Sequence, residues 1–174
     1  MLMPEFIPVL RKEEIDKKVA AVARRISADY RDAELIMVGV LNGAFIFLSD
    51  LIRKISIPVK VDFVGASSYG SETVSSENIQ LTKKLEIEIK DKYVLVIEDI
   101  VDTGLTLAYI IDYLNSFNPR SVKTCALIDK RERRKISIKL DYVCHRLRKG
   151  FCVGYGLDYD GQYRNLPEIY HLKS

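Results

Sequence analysis

Three carboxylates lie within five residues of one another in the segment Glu98-Asp99-Ile100-Val101-Asp102. Ionised carboxylates only accept hydrogen bonds, so an adjacent pair suits the two hydroxyl donors of a ribose diol or a hard Mg²⁺ ion. Residues 103–106 contain two threonines and Gly104 and open a predicted helix, whose free amides and positive dipole end favour a phosphate. One short segment could therefore hold a ribose at its hydroxyls and at its 5-phosphate.

The structural alternative is that these acids only end a strand and cap the next helix, where Asp and Thr are favoured. It explains Asp102 or Thr103. It does not explain Glu98 and Asp99, which follow the apolar run 94–97 and repel each other unless a positive or hydrogen-donating group binds there. The P-loop and G-x-G-x-x-G phosphate motifs do not occur in the sequence, so kinase, nucleotide-triphosphatase and dinucleotide-binding functions lose their main support.

Strands and helices are predicted to alternate along the chain, from buried apolar runs and from apolar spacings of three and four. The expected helices are 11–30, 44–55 and 105–117, and the expected strands are 35–41, 59–66, 93–97, 121–128, 142–145 and 151–155, with a long mobile loop at 67–82 and a half-exposed antiparallel strand at 84–90. This order predicts an α/β protein with a doubly wound, mostly parallel sheet flanked by helices. Ligands bind at the carboxyl ends of such strands, so residues just after Leu41, Ile97, Ile128 and Tyr155 should surround one site.

Composition narrows the classes of function. The chain has 174 residues and a net charge of +3, from 27 basic and 24 acidic side chains, which predicts one globular domain and favours neither a nucleic-acid nor a membrane partner. Three cysteines without paired spacing (Cys125, Cys144 and Cys152) are expected to be reduced, buried thiols of a cytoplasmic protein. No targeting segment or membrane helix is expected, and His145 and His171 are interpreted as structural.

The segment VLVIEDIVDTGLT at 94–106 is similar to the phosphoribosyl-pyrophosphate motif of type I phosphoribosyltransferases. Further segments resemble the 6-oxopurine branch of that family, the hypoxanthine and hypoxanthine-guanine phosphoribosyltransferases: Leu41-Asn42-Gly43-Ala44, Ser68-Tyr69-Gly70, Leu127-Ile128-Asp129-Lys130, FCVGYGLDY at 151–159, and Tyr163-Arg164. The resemblance runs from about residue 11 to the C-terminus. It implies a single domain over 1–174, with a core at about 30–145 and a small hood from the N-terminal segment and about 146–174.

The resemblance also implies an activity: transfer of a phosphoribosyl group from phosphoribosyl pyrophosphate to N9 of hypoxanthine or guanine, giving IMP or GMP and pyrophosphate. Asp102 would be the general base or proton relay at the purine N7. Glu98 and Asp99 would hold the ribose hydroxyls directly or through Mg²⁺. The 5-phosphate would be bound by Thr103, Gly104, Leu105 and Thr106.

For the purine, the resemblance implies that Lys130 reads the exocyclic O6, that Phe151 stacks on the base and that the backbone of Cys152 bonds its edge. Asp158 would contribute to purine binding and hold a second metal ion near the pyrophosphate. Pyrophosphate would be bound by Asn42, Gly43 and Arg164, where many relatives carry Lys at position 42 and Asn cannot supply that charge. Ser68 and Tyr69 would belong to a loop that closes over the site, and the assembly would be a homodimer or homotetramer.

Two alternative functions remain open. A regulator that senses phosphoribosyl pyrophosphate and binds nucleic acid would have the same fold, although the low net charge and the retained Asp102 disfavour it. A transferase for xanthine or uracil is the other alternative; Lys130 and the Phe151 segment favour a 6-oxopurine. Spacing alone favours Lys130 as a solvated charge in the basic run 130–135, but its position at the carboxyl end of a strand and the resemblance reverse that choice. The remaining residues of the run are expected to form an exposed turn. Phe151 is equally a core residue, and Asp158 and Arg164 are equally surface charges.

Overall fold

The computed structural model describes residues 5–68 and 79–173. Within them the elements in chain order are β1 (Glu5–Leu10), α1 (Lys12–Asp29), β2 (Leu35–Leu41), α2 (Phe45–Ile52), β3 (Val59–Ser68), β4 (Ile79–Lys83), β5 (Tyr93–Val101), α3 (Leu105–Asn115), β6 (Ser121–Lys130), β7 (Tyr142–Leu147), β8 (Cys152–Val153) and β9 (Ile169–Lys173). The helix ends and several strand ends differ from the sequence expectation by one to three residues, where capping and fraying make boundaries hardest to predict.

The main sheet has six strands in the order β4-β3-β2-β5-β6-β7. All neighbouring pairs are parallel except β3 and β4, which are antiparallel. The chain moves outward from β2 to β3 in one direction and from β5 to β7 in the other, so the strand order reverses between β2 and β5. This reversal is the switch point at which α/β sheets bind ligands, and the predicted fold class is confirmed.

Both faces of the main sheet are covered, as a doubly wound sheet requires. On one face Leu95 and Ile97 of β5 pack into the cluster that contains residues of α1 and α2. On the other face Val94 and Val96 pack with Leu107 and other residues of α3. Alternate side chains of one strand thus enter opposite cores, which explains why this strand is a continuous apolar run.

The predicted strand at 84–90 is wrong, and the antiparallel strand is β4, of which all but the last residue lies in the segment predicted as a loop. The apolar alternation of 84–90 does bury its inward side chains, Ile89 most completely. Its backbone donors, however, bond to side chains instead of a neighbouring strand. The carboxylate of Asp62 accepts from the amides of Glu86 at 2.7 Å and Ile87 at 3.1 Å.

A second, three-stranded antiparallel sheet in the order β1-β9-β8 joins the two ends of the chain, and its strands β1 and β9 were not among the expected strands. Pro8 in β1 lowers the strand signal of this segment, yet proline is tolerated because β1 is an edge strand. Only two residues of the predicted strand 151–155, Cys152 and Val153, belong to β8.

The three cysteines are buried and free, and burial raises the pKa of each thiol, as expected of inert, reduced side chains. No helix in the described part of the chain is long and apolar enough to cross a membrane.

Candidate active site

Glu98 and Asp99 lie within β5, which continues four residues beyond its predicted end, and both side chains are buried. The amide of Asp99 donates to Glu98 Oε1 at 3.2 Å, and the amide of Ile100 donates to Asp99 Oδ1 at 2.8 Å. Burial and the charge of Asp99 raise the pKa of Glu98 well above its ordinary range, and burial also raises that of Asp99. Across 5–68 and 79–173, no lysine or arginine forms a salt bridge with either carboxylate.

The segment after β5 forms a small cradle at the start of α3. A cavity of about 110 Å³ opens there, which is large enough to hold several waters. Its lining is Glu98, Ile100, Val101, Asp102, Thr103, Gly104, Thr106 and Leu107. The first amides of α3 have no intrahelical acceptor, which leaves them available to an anion.

Helix capping does not account for the residues before α3. The N-cap is Gly104 at φ +86°, a conformation that glycine adopts without steric cost, and no side chain caps the helix. The hydroxyl of Thr103 accepts from the Leu105 amide at 3.3 Å. The N-cap residue, Gly104, stands after both Asp102 and Thr103, so the interpretation of Asp102 as the cap is wrong, while the Thr103 hydroxyl still satisfies the first amide of α3.

The two carboxylate oxygens of Asp102 differ, since one accepts three hydrogen bonds and the other accepts none in the described residues. Its Oδ2 accepts from Lys130 Nζ at 3.2 Å and from Arg133 Nε at 2.9 Å and Nη2 at 2.6 Å. Its Oδ1 is buried and has no hydrogen-bond partner in the described residues. Burial alone would raise the pKa of Asp102, but the bonds from Arg133 and Lys130 outweigh it and hold the pKa below its ordinary value. Asp102 is thus an ionised acceptor with a free oxygen.

Lys130 is the last residue of β6 and only 4% exposed, so the solvated-charge interpretation is wrong. Glu132 lies 3.6 Å from its Nζ and gives it a second negative neighbour. Burying an ammonium is costly unless it is paired, and here Asp102 and Glu132 supply the pairing.

Arg134 is a site residue that the sequence did not predict, since it was expected in an exposed turn. Its side chain is 17% exposed. Nε donates to the carbonyl of Asp102 at 2.7 Å, and Nη2 donates to the carbonyls of Val101 at 2.8 Å and Lys130 at 3.0 Å and to Asp129 Oδ1 at 2.6 Å. One guanidinium thereby ties the end of β5 to the end of β6. Asp129 was the sequence signal for such a residue, because an acid in a predicted buried strand needs a cationic partner.

The turn after β2 packs directly against Asp99. The Leu41–Asn42 peptide is cis. Gly43 has no room for a side chain, because a Cβ there would overlap Asp99 Oδ2. On its other side the carbonyl of Gly43 lies so close to Gly156 that a Cβ on Gly156 would overlap it. The turn is therefore held between β5 and the segment after β8.

Arg164 and Asp158 meet at this same place. Arg164 Nη1 donates to the carbonyl of Gly156 at 2.6 Å, and Nη2 lies 2.9 Å from Asp158 Oδ1. The other oxygen of Asp158 accepts from the Gly161 amide at 2.8 Å. The charge of Arg164 also reaches Asp99 and lowers the pKa of that carboxyl, against the stronger effect of burial. Both side chains are partly buried and specifically paired, so they are not isolated surface charges.

Phe151 is 44% exposed and meets Tyr159 edge to face at 5.6 Å, so the interpretation as a core residue is wrong. Cys152 is buried in β8 opposite His171, whose Nδ1 lies 3.7 Å from its sulfur, and burial raises the pKa of this thiol to about 11. Tyr69 lies outside the described residues and Ser68 only ends the backbone of β3, so the closing loop stays a prediction.

Contacts link most of the predicted residues. Gly43 touches Asp99, Asp102 bonds to Lys130, and Gly156 joins Gly43 to Arg164. These contacts bring the residues after the four strand ends close together, and that they surround one ligand site stays a prediction. Phe151 is joined to the rest less directly, through its neighbour Gly150, whose amide donates to Glu132 at 3.1 Å.

Comparison with known proteins agrees with this geometry. Residues 9–160 match the phosphoribosyl transferase domain family, and the chain belongs to that family. It is 44% identical over 166 residues to the hypoxanthine-guanine phosphoribosyltransferase of Aquifex aeolicus (strain VF5), covering 95% of this chain and 93% of that protein. It is 37% identical over 163 residues to the hypoxanthine phosphoribosyltransferase of Salmonella typhimurium (strain LT2), covering 92% of each.

A crystal structure of a hypoxanthine phosphoribosyltransferase from Staphylococcus aureus superposes with a TM-score of 0.91 at 40% identity, covering 95% of this chain and 90% of that chain. Within the phosphoribosyl transferase family, the chain therefore belongs with the hypoxanthine and hypoxanthine-guanine phosphoribosyltransferases.

Proposed function

We propose that this protein transfers the 5-phosphoribosyl group of phosphoribosyl pyrophosphate to N9 of hypoxanthine or guanine, forming IMP or GMP and pyrophosphate in purine salvage. One observation carries the proposal: the buried ammonium of Lys130 lies beside Asp102, whose second oxygen has no hydrogen-bond partner in the described residues, and Asp102 lines the cavity at the start of α3. A 6-oxopurine offers what these two groups need, an acceptor for the ammonium and a proton for the carboxylate.

The donor would be held from three sides. The buried carboxylates of Glu98 and Asp99 accept the ribose hydroxyls, and the cradle formed by residues 103–106 takes the 5-phosphate. Pyrophosphate lies against the turn of Asn42 and Gly43 and within reach of Arg164. Asn42 carries no charge, so the backbone amides and the guanidinium supply the attraction there.

Lys130 donates to the purine O6, and the 6-amino group of adenine would meet it donor to donor. A site built around such a bond rejects the wrong partner strongly, because the buried donor is left unpaired. As N9 bonds to the ribose carbon and pyrophosphate leaves, the N7 proton passes to Asp102. Positioned proton transfer of this kind contributes about 10²–10⁴-fold to the rate. Phe151 stacks on the base, and the backbone of Cys152 contacts its edge.

Mg²⁺ fits the donor side of this site. Magnesium is commonly bound by one or two carboxylates together with substrate phosphates. The described residues contain no group of three or more potential metal-ligating side chains, whereas Glu98 and Asp99 form a buried acidic pair without a salt bridge. These two residues would hold the ion, directly or through the ribose hydroxyls, and the ion supplies positive charge to the diphosphate. Asp158 could join a second ion only by sharing its oxygen with Arg164.

We further propose a single domain in which the β1-β9-β8 sheet forms the hood, and a cytoplasmic homodimer or homotetramer. Phe6 of β1 packs edge to face on Tyr163, the neighbour of Arg164, at 5.3 Å, which supports the first point. Family membership supports the second. Ser68 and Tyr69 are proposed to belong to the closing loop. Light scattering after size-exclusion chromatography tests the assembly, and a monomer at micromolar concentration would contradict it.

A spectrophotometric assay with hypoxanthine, guanine, xanthine and adenine, each with phosphoribosyl pyrophosphate and with or without Mg²⁺, tests the activity. We expect Mg²⁺-dependent turnover of hypoxanthine or guanine and none of adenine. Asp102→Asn should lose about 10²–10⁴-fold in turnover while donor binding is retained. Unchanged turnover would contradict its role. Salt-sensitive nucleic-acid binding without turnover would favour the regulator.

A further inference from the structure

The turn after β6 brings a second cation to Asp102 besides Lys130. Arg133 donates through both Nε and Nη2 to Oδ2, the same oxygen that accepts from Lys130 Nζ. In the described residues these are the only hydrogen bonds of the Arg133 side chain. The guanidinium of Arg133 therefore contacts the carboxylate that is proposed to accept the purine N7 proton.

The two cations are held very differently. The Lys130 side chain is 5% exposed, whereas the Arg133 side chain is 66% exposed. This pair is exposed on the arginine side only, since the Asp102 side chain is 16% exposed. Exposed ion pairs typically change an equilibrium constant by up to about fivefold. The turn itself stays in place when Arg133 leaves, because the neighbouring Arg134 anchors it to the carbonyls of Val101 and Asp102. Arg133 can thus exchange its carboxylate for solvent at little cost.

We infer that Arg133 is a positioning residue that covers Asp102 in the free enzyme and releases it to the incoming purine. The inference rests on the proposed role of Asp102 toward the purine N7. While it covers the carboxylate, Arg133 keeps Asp102 ionised and oriented, and Lys130 continues to orient it after Arg133 has left. Breaking the Arg133–Asp102 pair weakens purine binding and leaves donor binding unchanged, since Arg133 makes no hydrogen bond to the donor-binding residues in the described part of the chain.

The first test compares steady-state constants of Arg133→Ala with those of the unmodified enzyme. We expect the KM for hypoxanthine to fall by about two- to fivefold and the KM for phosphoribosyl pyrophosphate to stay the same. Because an exposed pair is screened by salt, the difference should shrink between about 0.05 and about 0.5 M NaCl. Arg131→Ala is the matched control: Arg131 lies in the same turn, is 71% exposed and pairs with Asp129. It should change neither KM.

The second test measures IMP binding by calorimetry in a double-mutant cycle. Arg133→Ala should tighten IMP binding by about two- to fivefold when Asp102 is present and leave it unchanged in the Asp102→Asn background. Arg133→Lys keeps the charge but loses the two-pronged geometry and should lie between Arg133→Ala and the unmodified enzyme.

Several results would overturn the inference. Weaker IMP binding or a higher hypoxanthine KM in Arg133→Ala would mean that Arg133 binds the ligand itself. An effect of equal size in the Asp102→Asn background would place its action elsewhere. Normal turnover of the unmodified enzyme with no change in Arg133→Ala contradicts this inference and leaves the proposed function intact, whereas absence of turnover in the unmodified enzyme contradicts both.

Discussion

Arg134 offers the sharpest test of how the two strand ends of the site are held together. Its guanidinium donates to Asp129 Oδ1 and to three backbone carbonyls at the ends of β5 and β6. Arg134→Met keeps much of the length of the side chain and removes every one of these donors. Asp129, which is 2% exposed, would then lose its shortest ion pair.

The expected loss of stability follows from that burial. Removing one partner of a buried ion pair costs about 3–5 kcal/mol. Asp129 also lies 3.3 Å from Arg131 and 3.7 Å from Arg146, both of them largely exposed, so we expect the lower end of that range. For a chain of this size, about 3 kcal/mol corresponds to a fall of roughly 6–12 °C in Tm.

Activity should fall as well, because Arg134 fixes the backbone of both Asp102 and Lys130. A misplacement of about 1 Å in a catalytic group can cost about 10²-fold in rate. Thermal unfolding and kcat/KM for hypoxanthine are the two measurements. Arg146→Met is the matched control, since Arg146 approaches the same Asp129 but is 73% exposed. If Arg134→Met unfolds at the same temperature as this control, the interpretation of Arg134 as the link between β5 and β6 is wrong.

Three further predictions concern the donor and purine subsites. Burial and Asp99 raise the pKa of Glu98, so the folded state loses stability as pH rises from the ordinary value of 4.5 towards the raised one. Glu98→Gln should therefore increase Tm more at about pH 8 than at about pH 4, and it should weaken donor binding. A lower Tm of this variant at pH 8 would contradict the prediction. Gly43→Ala would drive a Cβ into Asp99 and should raise the KM for phosphoribosyl pyrophosphate by about tenfold or more, and an unchanged KM would contradict the close packing of this turn against Asp99. Lys130→Met should reduce kcat/KM for hypoxanthine by about 10²-fold or more and should lower the ratio of kcat/KM for hypoxanthine to that for adenine. An unchanged ratio would refute the O6 contact.

Sequence patterns predicted the main sheet well because its strands are buried on both faces. A short, continuous apolar run such as 94–97 is typical of a strand inside a parallel sheet, and the switch point follows from strand order. The pattern failed at 84–90, where alternation correctly reported which side chains are buried but not what the backbone bonds to. The carboxylate that replaces a neighbouring strand there, Asp62, lies more than twenty residues earlier in the chain. Local periodicity cannot contain that information.

The candidate site divides in the same way. Glu98, Asp99 and Asp102 are recognisable because acids next to a buried strand need a reason, and that reason is visible locally. The partners of such acids are not: Arg134 and Arg133 stand in a basic run whose members look alike in sequence. Only the structure separates them, since Arg134 is 17% exposed and Arg133 66% exposed. The sequence therefore predicts the acids of the site better than the cations that pair with them.

The distribution of these cations explains how a chain with a net charge of only +3 can hold a highly charged donor. Asp102, Asp129 and Asp158 each form a salt bridge with an arginine or lysine in the free protein. Glu98 and Asp99 form none within the described residues, although they are among the most buried acids. Repulsion between two buried carboxylates destabilises the free protein, and a ligand that brings hydroxyl donors or a metal ion removes that cost. Binding energy is thus concentrated at the donor side, which predicts that phosphoribosyl pyrophosphate with Mg²⁺ raises Tm more than hypoxanthine does when each is added alone.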